Sequence, residues 1–458
     1  MKIIVVGANP VGISLASTLS TDSNDVTLVD SDEARLEGLK KGMDIQVVSG
    51  RGSHPDVLEQ AGVEDADLLI AVSENDELNM VACRVADSLY HTPKKICRVH
   101  STSFFRFRDK LFGERGIGVD TPICPEMIVS DNIERLIELP GALQVLDFAD
   151  GSVRLVGVKA VSGGPLVGQQ IRLLRQHKPA VDTRVAAIFR KDRPIVPEGS
   201  TVIEADDEVF FVAAQGDIRD CIAEVRPMDH PYRRIFIAGG GNIGLRLARK
   251  LEPRYKVKLI ERDEARCKHL SSQLLRTLVL HGEASERELL ISENIEDADV
   301  FVALANDDEA NIMSCMMAKR LGAKKVMALI NNPDYVDLIQ GGEIDIAISP
   351  QLATIGSVLT KVRRADFANV HSLRRGAAEA VEAVVHGDTA SSRVIGRELR
   401  ELELPDSVTV GAIVREKEVL IAHDDTRVEA GDHVIMFLVD RKHVGLVERL
   451  FGAGFAHF

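Results

Sequence analysis

An α/β fold of two doubly wound parallel-sheet domains, each followed by a small α+β domain, is what this sequence of 458 residues predicts. Three observations carry that prediction. A glycine-rich turn stands twice between an apolar strand and a helix, other segments recur at a fixed spacing, and short apolar strands alternate with helical patterns.

The repeat comes first because it sets the domain order. Gly7-Ala8-Asn9-Pro10-Val11-Gly12 returns 232 residues later as Gly239-Gly240-Gly241-Asn242-Ile243-Gly244. Asp65-Ala66-Asp67 returns as Asp297-Ala298-Asp299 at the same spacing, and the stretch Asn75 to Asn79 returns as Asp307 to Asn311. A second register of 225 residues relates Val185 to Ile188 with Val410 to Ile413, and Asp207-Glu208-Val209 with Asp432-His433-Val434. Two registers mean that a two-domain unit is duplicated in the order A-B-A-B, with a period far longer than the roughly 20 to 50 residues of a solenoid.

The A units span residues 1–140 and 231–367, and the B units residues 141–227 and 368–458. In the A units, strands such as Lys2 to Val6 and Leu68 to Val72 alternate with helices such as Glu77 to Leu89, the rhythm of a parallel sheet. The B units carry short strands at Val209 to Val212 and Val434 to Phe437, with turns at Pro197-Glu198-Gly199 and Glu429 to Asp432. Boundaries are expected at Pro140-Gly141, from Pro227 to Pro231, and around Phe367 to Ser372. Before each B unit a proline opens a helix, Pro125 to Leu139 and Pro350 to Arg364, which is either a crossover between domains or a core helix of its own domain.

Composition narrows the function. A net charge of −14 repels both nucleic acid and anionic membrane over a broad surface, so no nucleic-acid partner is expected. A phosphate site built from backbone N–H groups is still compatible with that charge. The six cysteines form no CxxC pair and read as small core residues, so no metal is expected. The chain opens directly into a strand and holds no apolar run of about 20 residues, which predicts a cytoplasmic protein.

The turn Gly239-x-Gly241-x-x-Gly244 follows the strand Arg234 to Ala238 and opens a helix, the context of a Rossmann-like dinucleotide site. There the first glycine makes the turn, the second admits the pyrophosphate and the third lets helix and strand pack. Glu261 ends the next strand and can accept the hydroxyls of an adenosine ribose, favouring NAD over NADP; Asp30 holds the matching place in the first half. The first turn departs from the pattern, since Asn9 replaces the middle glycine and Pro10 lacks an N–H. Crowding of the pyrophosphate by the Asn9 Cβ is expected to weaken that site. Ser73 and Glu74 end the strand Leu68 to Val72, and Arg98 lies on the strand Lys95 to His100, with Ala328 aligned to it in the second half. Arg98 either pairs with a phosphate or forms a surface ion pair with a nearby carboxylate. Catalytic residues are not expected: the 13 histidines are scattered, and His54, His100, His230 and His386 read as solvated loop residues. The competing expectation is an NAD-dependent oxidoreductase whose B modules form a substrate pocket.

The duplicated unit, the Gly239 to Gly244 turn with Glu261, the stretches Asp76 to Asn79 and Asp308 to Asn311, and Ala412-Ile413 together resemble the TrkA family of potassium-uptake regulators. The resemblance covers essentially the whole chain as two pairs of RCK-N (KTN) and RCK-C domains. It implies a non-catalytic subunit, a homotetramer peripheral on the cytoplasmic face of the inner membrane, gating an integral membrane potassium translocator of the TrkH type. NAD(H) is the implied ligand, with ATP or ADP as alternative occupants. The implied sites are Gly7 to Gly12 with Asp30, Ser73, Glu74 and Arg98, and Gly239 to Gly244 with Glu261, over which Asn306 and Asp307 close.

Overall fold

The run Ile3-Ile4-Val5-Val6 is buried throughout, as the central strand of a parallel sheet covered on both faces must be. It forms β1 (Lys2–Val6) in the computed structural model, which describes residues 1–21, 24–39, 43–113, 116–178, 181–191, 193–227, 230–339, 342–362, 367–373, 378–389, 391–439 and 443–451. With β2 (Asp25–Asp30), β3 (Gln46–Ser49), β4 (Leu68–Ala71), β5 (Lys94–Arg98) and β6 (Thr121–Ile123) it makes a parallel sheet ordered β3-β2-β1-β4-β5-β6. The order reverses between β1 and β4, and a crevice opens at the carboxyl ends of the strands there.

The first B unit follows as an antiparallel sheet of β7 (Ala142–Phe148), β8 (Val153–Lys159), β9 (Thr183–Arg190), β10 (Arg193–Ile195) and β11 (Glu208–Ala214), ordered β10-β9-β11-β8-β7. The chain then repeats itself. A second parallel sheet comprises β12 (Arg234–Ala238), β13 (Lys256–Glu261), β14 (Leu278–His281), β15 (Val300–Ala303), β16 (Lys325–Leu329) and β17 (Ile346–Ile348), ordered β14-β13-β12-β15-β16-β17. A second antiparallel sheet comprises β18 (Phe367–Leu373), β19 (Ala378–Val384), β20 (Val408–Arg415), β21 (Glu418–Ile421) and β22 (His433–Leu438), ordered β18-β19-β22-β20-β21. The boundary expected at Phe367 to Ser372 is thus a strand, because the apolar alternation there pairs with β19. Residues 228 and 229 of the boundary at Pro227 to Pro231, and residues 363 and 364 of the second proline-opened helix, lie outside the described residues.

The residues group into two units, one of Met1–Ile133 with Arg233–Val362 and one of Glu134–Tyr232 with Arg363–Phe458. Within the first, the proline-opened helices are crossovers. The helix Pro350–Val362 sets Ile355, Val358 and Val362 into one core with Val11 and Leu15 of the first half. In return Ser130 Oγ accepts Arg246 Nε at 2.9 Å, and Asp131 takes the Lys250 ammonium at 2.9 Å, both partners lying on the helix Asn242–Leu251. Within the second unit, Phe148, Phe189 and Phe210 share a core with Ala380, Ala412 and Phe437, so the two antiparallel sheets bury their apolar faces together.

The second register of the repeat has a structural cause. Asp207 is buried, accepts Arg190 Nε at 2.9 Å and closes its turn by accepting Glu204 N. Asp432 does the same with Arg415 Nε at 2.9 Å and Glu429 N at 2.7 Å. A buried carboxylate without such partners would be strongly destabilising, so aspartate and arginine recur together. All six cysteines are free and buried; desolvation pushes Cys221 up to about 11, which keeps it a neutral thiol.

Candidate functional site

At the end of β12 the chain turns at Gly239, whose φ of +104° is a conformation that side chains disfavour. Gly239 N donates to Ile260 O at 2.9 Å, which folds the turn onto β13. A Cβ on Gly244 would stand 2.0 Å from Gly239 O, so only glycine lets the helix Asn242–Leu251 begin this close to the strand. Gly241 precedes that helix, no side chain caps it, and a Cβ built on Gly241 meets no atom within 4 Å. The N–H groups of Asn242, Ile243 and Gly244 therefore stand uncapped at the positive end of the helix dipole, the arrangement that takes an anion.

Glu261 lies beside this turn at the end of β13. Its Oε2 accepts Gly240 N at 2.8 Å and its Oε1 accepts Asp263 N at 2.9 Å, while Arg266 Nε donates to Gly240 O at 2.8 Å. The carboxylate is thereby aimed without being saturated, since each oxygen retains accepting capacity. Asn306 and Asp307 follow β15, the neighbour of β12 across the switch point. With Asp308, Asn331, Asn332 and Tyr335 they line a cleft of about 390 Å³. Asp307 has a structural duty as well, capping the helix Asp308–Arg320 by accepting Ala310 N at 2.8 Å.

In the first half the same frame is built. Gly7 has φ +109°, and a Cβ on Gly12 would stand 1.8 Å from Gly7 O. Asp30 accepts Ala8 N at 2.6 Å and Asp32 N at 2.9 Å, the counterpart of the Glu261 bracing. The difference lies at Asn9. Its Oδ1 accepts Gly12 N at 2.9 Å, and its Nδ2 donates to Val72 O at 2.6 Å and to Glu74 Oε1 at 2.8 Å. Asn9 is 6% exposed, so the side chain is folded into the turn instead of projecting into the pyrophosphate space. The obstacle is a loss of donors: Pro10 has none, Gly12 donates to Asn9, and Val11 alone keeps an uncapped N–H at this helix start.

Glu74 gathers the remaining first-half residues. Arg98 Nη1 lies 3.2 Å from Glu74 Oε1 and 3.4 Å from Val72 O. Arg98 is 8% exposed but its partner Glu74 is exposed, so the pairing with a nearby carboxylate forms between a buried guanidinium and a carboxylate open to solvent, and the Arg98 Nε has no partner. His100 is the residue the sequence reading missed. Its Nδ1 lies 2.9 Å from Glu126 Oε1 and its Nε2 lies 3.5 Å from Glu74 Oε2, so it is a half-buried bridge and not a solvated loop residue. The Glu126 hydrogen bond, with help from Glu74, raises its pKa to about 9. Glu74 is held below the usual carboxylate range by His100 first, against partial burial, with Arg98 adding to the effect.

The second half lacks this network. Ala71 pairs with Cys97 and Ala303 with Ala328, so the counterpart of Arg98 is Leu329, one residue beyond the Ala328 expected. By the same alignment Asn306 stands for Glu74, Asn331 for His100 and Gln351 for Glu126, all neutral. No local spacing reveals His100 and Glu126; comparing charges between the two repeats does. Ser73 is occupied structurally, its N and Oγ lying 2.9 and 2.7 Å from Asn79 Oδ1. Among the described residues no His, Cys, Asp and Glu group is arranged to hold a metal ion.

The TrkA-N domain family matches residues 3–125 and 235–350, and the TrkA-C domain family matches residues 155–224 and 388–452. The Trk system potassium uptake protein TrkA of Halomonas elongata is 59% identical over 458 residues, covering 100% of both chains. Its namesake in Vibrio alginolyticus is 56% identical over 451 residues, covering 98% of each. Among solved structures, the GsuK RCK domain superposes with a TM-score of 0.61 at 18% identity, covering 98% of this chain and 94% of that one. The GsuK channel bound to NAD gives a TM-score of 0.60 at 18% identity, covering 98% of this chain and 78% of that one. These last two likenesses show that the fold is shared.

Proposed function

Because this chain belongs to the TrkA family, regulatory proteins of potassium uptake and not enzymes, we propose that it senses an adenine dinucleotide at the Gly239 to Gly244 turn and reports occupancy to an integral membrane potassium translocator. The observation that carries this reading is the contrast at the two helix starts. Gly241 leaves three N–H groups uncapped beside Glu261, whereas Asn9 and Pro10 leave one beside Asp30. Pyrophosphate oxygens take the N–H groups, and the adenosine ribose takes Glu261. A 2′-phosphate would meet that carboxylate, so NAD(H) is favoured over NADP(H). ATP and ADP satisfy the same donors and the same acid, and are alternative occupants. The GsuK channel, which shares the fold, is described with NAD bound, in accord with this ligand.

In this reading Ser73, Glu74, Arg98, Asn306 and Asp307 border the two crevices, and residues 1–140, 141–227, 231–367 and 368–458 are the four modules. The assembly is a homotetramer on the cytoplasmic face of the membrane. No helix among the described residues is long and apolar enough to cross a bilayer, so contact with the translocator is peripheral in this reading. Ligand binding can drive a translocator only through a difference in affinity between two states. The test is potassium flux through the reconstituted translocator, with and without this chain, in the presence of NADH, ATP or ADP. Flux that no nucleotide alters, together with no saturable thermal stabilisation by any of the three, would refute the reading.

A further inference from the structure

A cleft of about 710 Å³ lies at the opposite end of the second parallel sheet from the glycine turn, at the amino-terminal ends of β12 and β13. Six cations line it: Arg233, Arg234, Arg254, Lys256, Lys258 and Arg276. Its three carboxylates are already engaged. Asp297 pairs with Arg234, and Glu293 Oε2 lies 2.8 Å from Lys258 Nζ. Glu252 accepts the backbone N–H groups of Leu275, Arg276 and Thr277. Burial works to raise the Glu252 pKa, but those donors outweigh it and hold the group below the usual range. Arg233, Lys256 and Arg276 are then left, among the described residues, with no carboxylate of their own. They converge from three separate segments on an apolar floor that includes Phe236 and the half-exposed Leu278.

The duplicated half supplies an internal control. Arg234 pairs with Lys256 where Lys2 pairs with Asp25, and Lys258 pairs with Leu278 where Thr27 pairs with Gln46. Carried along that alignment, Arg233, Lys256, Lys258 and Arg276 stand where the first half has Met1, Asp25, Thr27 and Asp44. The same end of the sheet therefore forms in the first half with acids, Asp25 and Asp44, at two of those four places, while the Met1 ammonium and Lys2 keep positive charge where Arg233 and Arg234 stand. Three uncompensated positive charges held together repel one another, and in a chain of net charge −14 nothing in the fold calls for them.

We propose that this cleft is a second ligand site, separate from the glycine turn, for a soluble small molecule carrying two or more phosphate groups. Guanidinium and ammonium donors from three directions suit a polyphosphate, and the concave, partly apolar lining suits a discrete molecule better than a planar membrane surface. The test uses the full chain with the glycine turns presaturated by NADH, titrated calorimetrically with sodium tripolyphosphate. The double variant Lys256→Asp/Arg276→Asp installs the residues that the first half carries on the same fold, and Arg233→Met is the second variant. The wild type is expected to bind tripolyphosphate saturably, the double variant at least about tenfold more weakly and the single variant less so, with the thermal midpoints unchanged. Absence of binding by the wild type, or equal affinity in a double variant that melts as the wild type does, would overturn the proposal. So would retention on phosphatidylglycerol vesicles without any binding of tripolyphosphate. If the double variant fails to fold, the same comparison is read from Arg233→Met, and undiminished affinity there overturns it.

Discussion

Asn9 Oδ1 accepts the Gly12 N–H at 2.9 Å, so one repeat caps with its own side chain the helix start that the other leaves uncapped at Gly244. An intramolecular cap competes with any anion for the same donor, and it is always present. The two crevices are thus the same backbone device in two states, one occupied by its own chain and one available.

Exchanging the two residues should exchange the behaviour. Gly241 has φ −65° and ψ −168°, which any residue adopts, and its Cβ would meet nothing within 4 Å, so Gly241→Asn should cost no more than about 1 kcal/mol of stability. It should weaken NADH binding at least about tenfold by capping the helix. Asn9→Gly should lose about 1 kcal/mol through its missing hydrogen bonds and gain a second, tighter nucleotide equivalent. Binding stoichiometry by calorimetry checks both, and unchanged stoichiometry in Asn9→Gly would count against the capping account.

Glu261 is expected to carry both bracing and sugar recognition. Removing it as Glu261→Ala releases Gly240 N and Asp263 N, at a cost of about 1 to 2 kcal/mol, and should abolish measurable NADH binding. Glu261→Gln keeps an acceptor but removes the charge, so its discrimination against NADPH should shrink at least about fivefold. Parallel titrations with NADH and NADPH decide the matter.

Stability should depend on His100 in the alkaline range. Its pKa is raised from 6.5 to about 9, so its contribution is complete below about pH 6.5 and is lost as pH rises through about 9. Glu74, whose pKa is lowered from 4.5, behaves oppositely, contributing above that value and losing its contribution as pH falls below it. Urea unfolding at pH 6 and pH 9.5 should show the wild type losing on the order of 2 kcal/mol more than His100→Asn, which installs the residue found at the matching place in the second half. Parallel pH curves for the two proteins would remove His100 from this role.

The crossover helix makes the two halves share their stability. Val358 is fully buried in the core that holds Leu15, and Val358→Ala should cost about 2 kcal/mol. Amide exchange should accelerate in the helix Pro10–Thr21 as well as in Pro350–Val362. Acceleration confined to the second half would show that the halves unfold separately.

The glycine turns were legible because part of their constraint is steric and local: Gly7 and Gly12 are five residues apart, and a side chain on Gly12 would strike Gly7 O, although the space above Gly7 is closed by the distant Ser73 and Val72 backbone. Asp30 and Glu261 were legible for a similar reason, each closing a strand that starts a short way past the turn. Ala328 was misassigned by one residue because sequence alignment alone does not sense strand register, which the hydrogen bonds of β15 and β16 set. His100 was misread because its partner Glu126 lies 26 residues away, across a strand and a helix start.

By itself, then, the amino-acid sequence determined the duplication, the order of the four domains and the two glycine turns, since periodicity and close-range sterics act between residues near one another in the chain. Only the tertiary structure decided which crevice keeps its donors free, that the proline-opened helix of each half packs on the other, and that cations from three segments converge at one end of the second parallel sheet. Those outcomes depend on groups such as Asn9 and Glu74, 65 residues apart, meeting at hydrogen-bond distance once the sheet has formed. Burial then selects which of them pair, because a polar group sealed from water without a partner is costly.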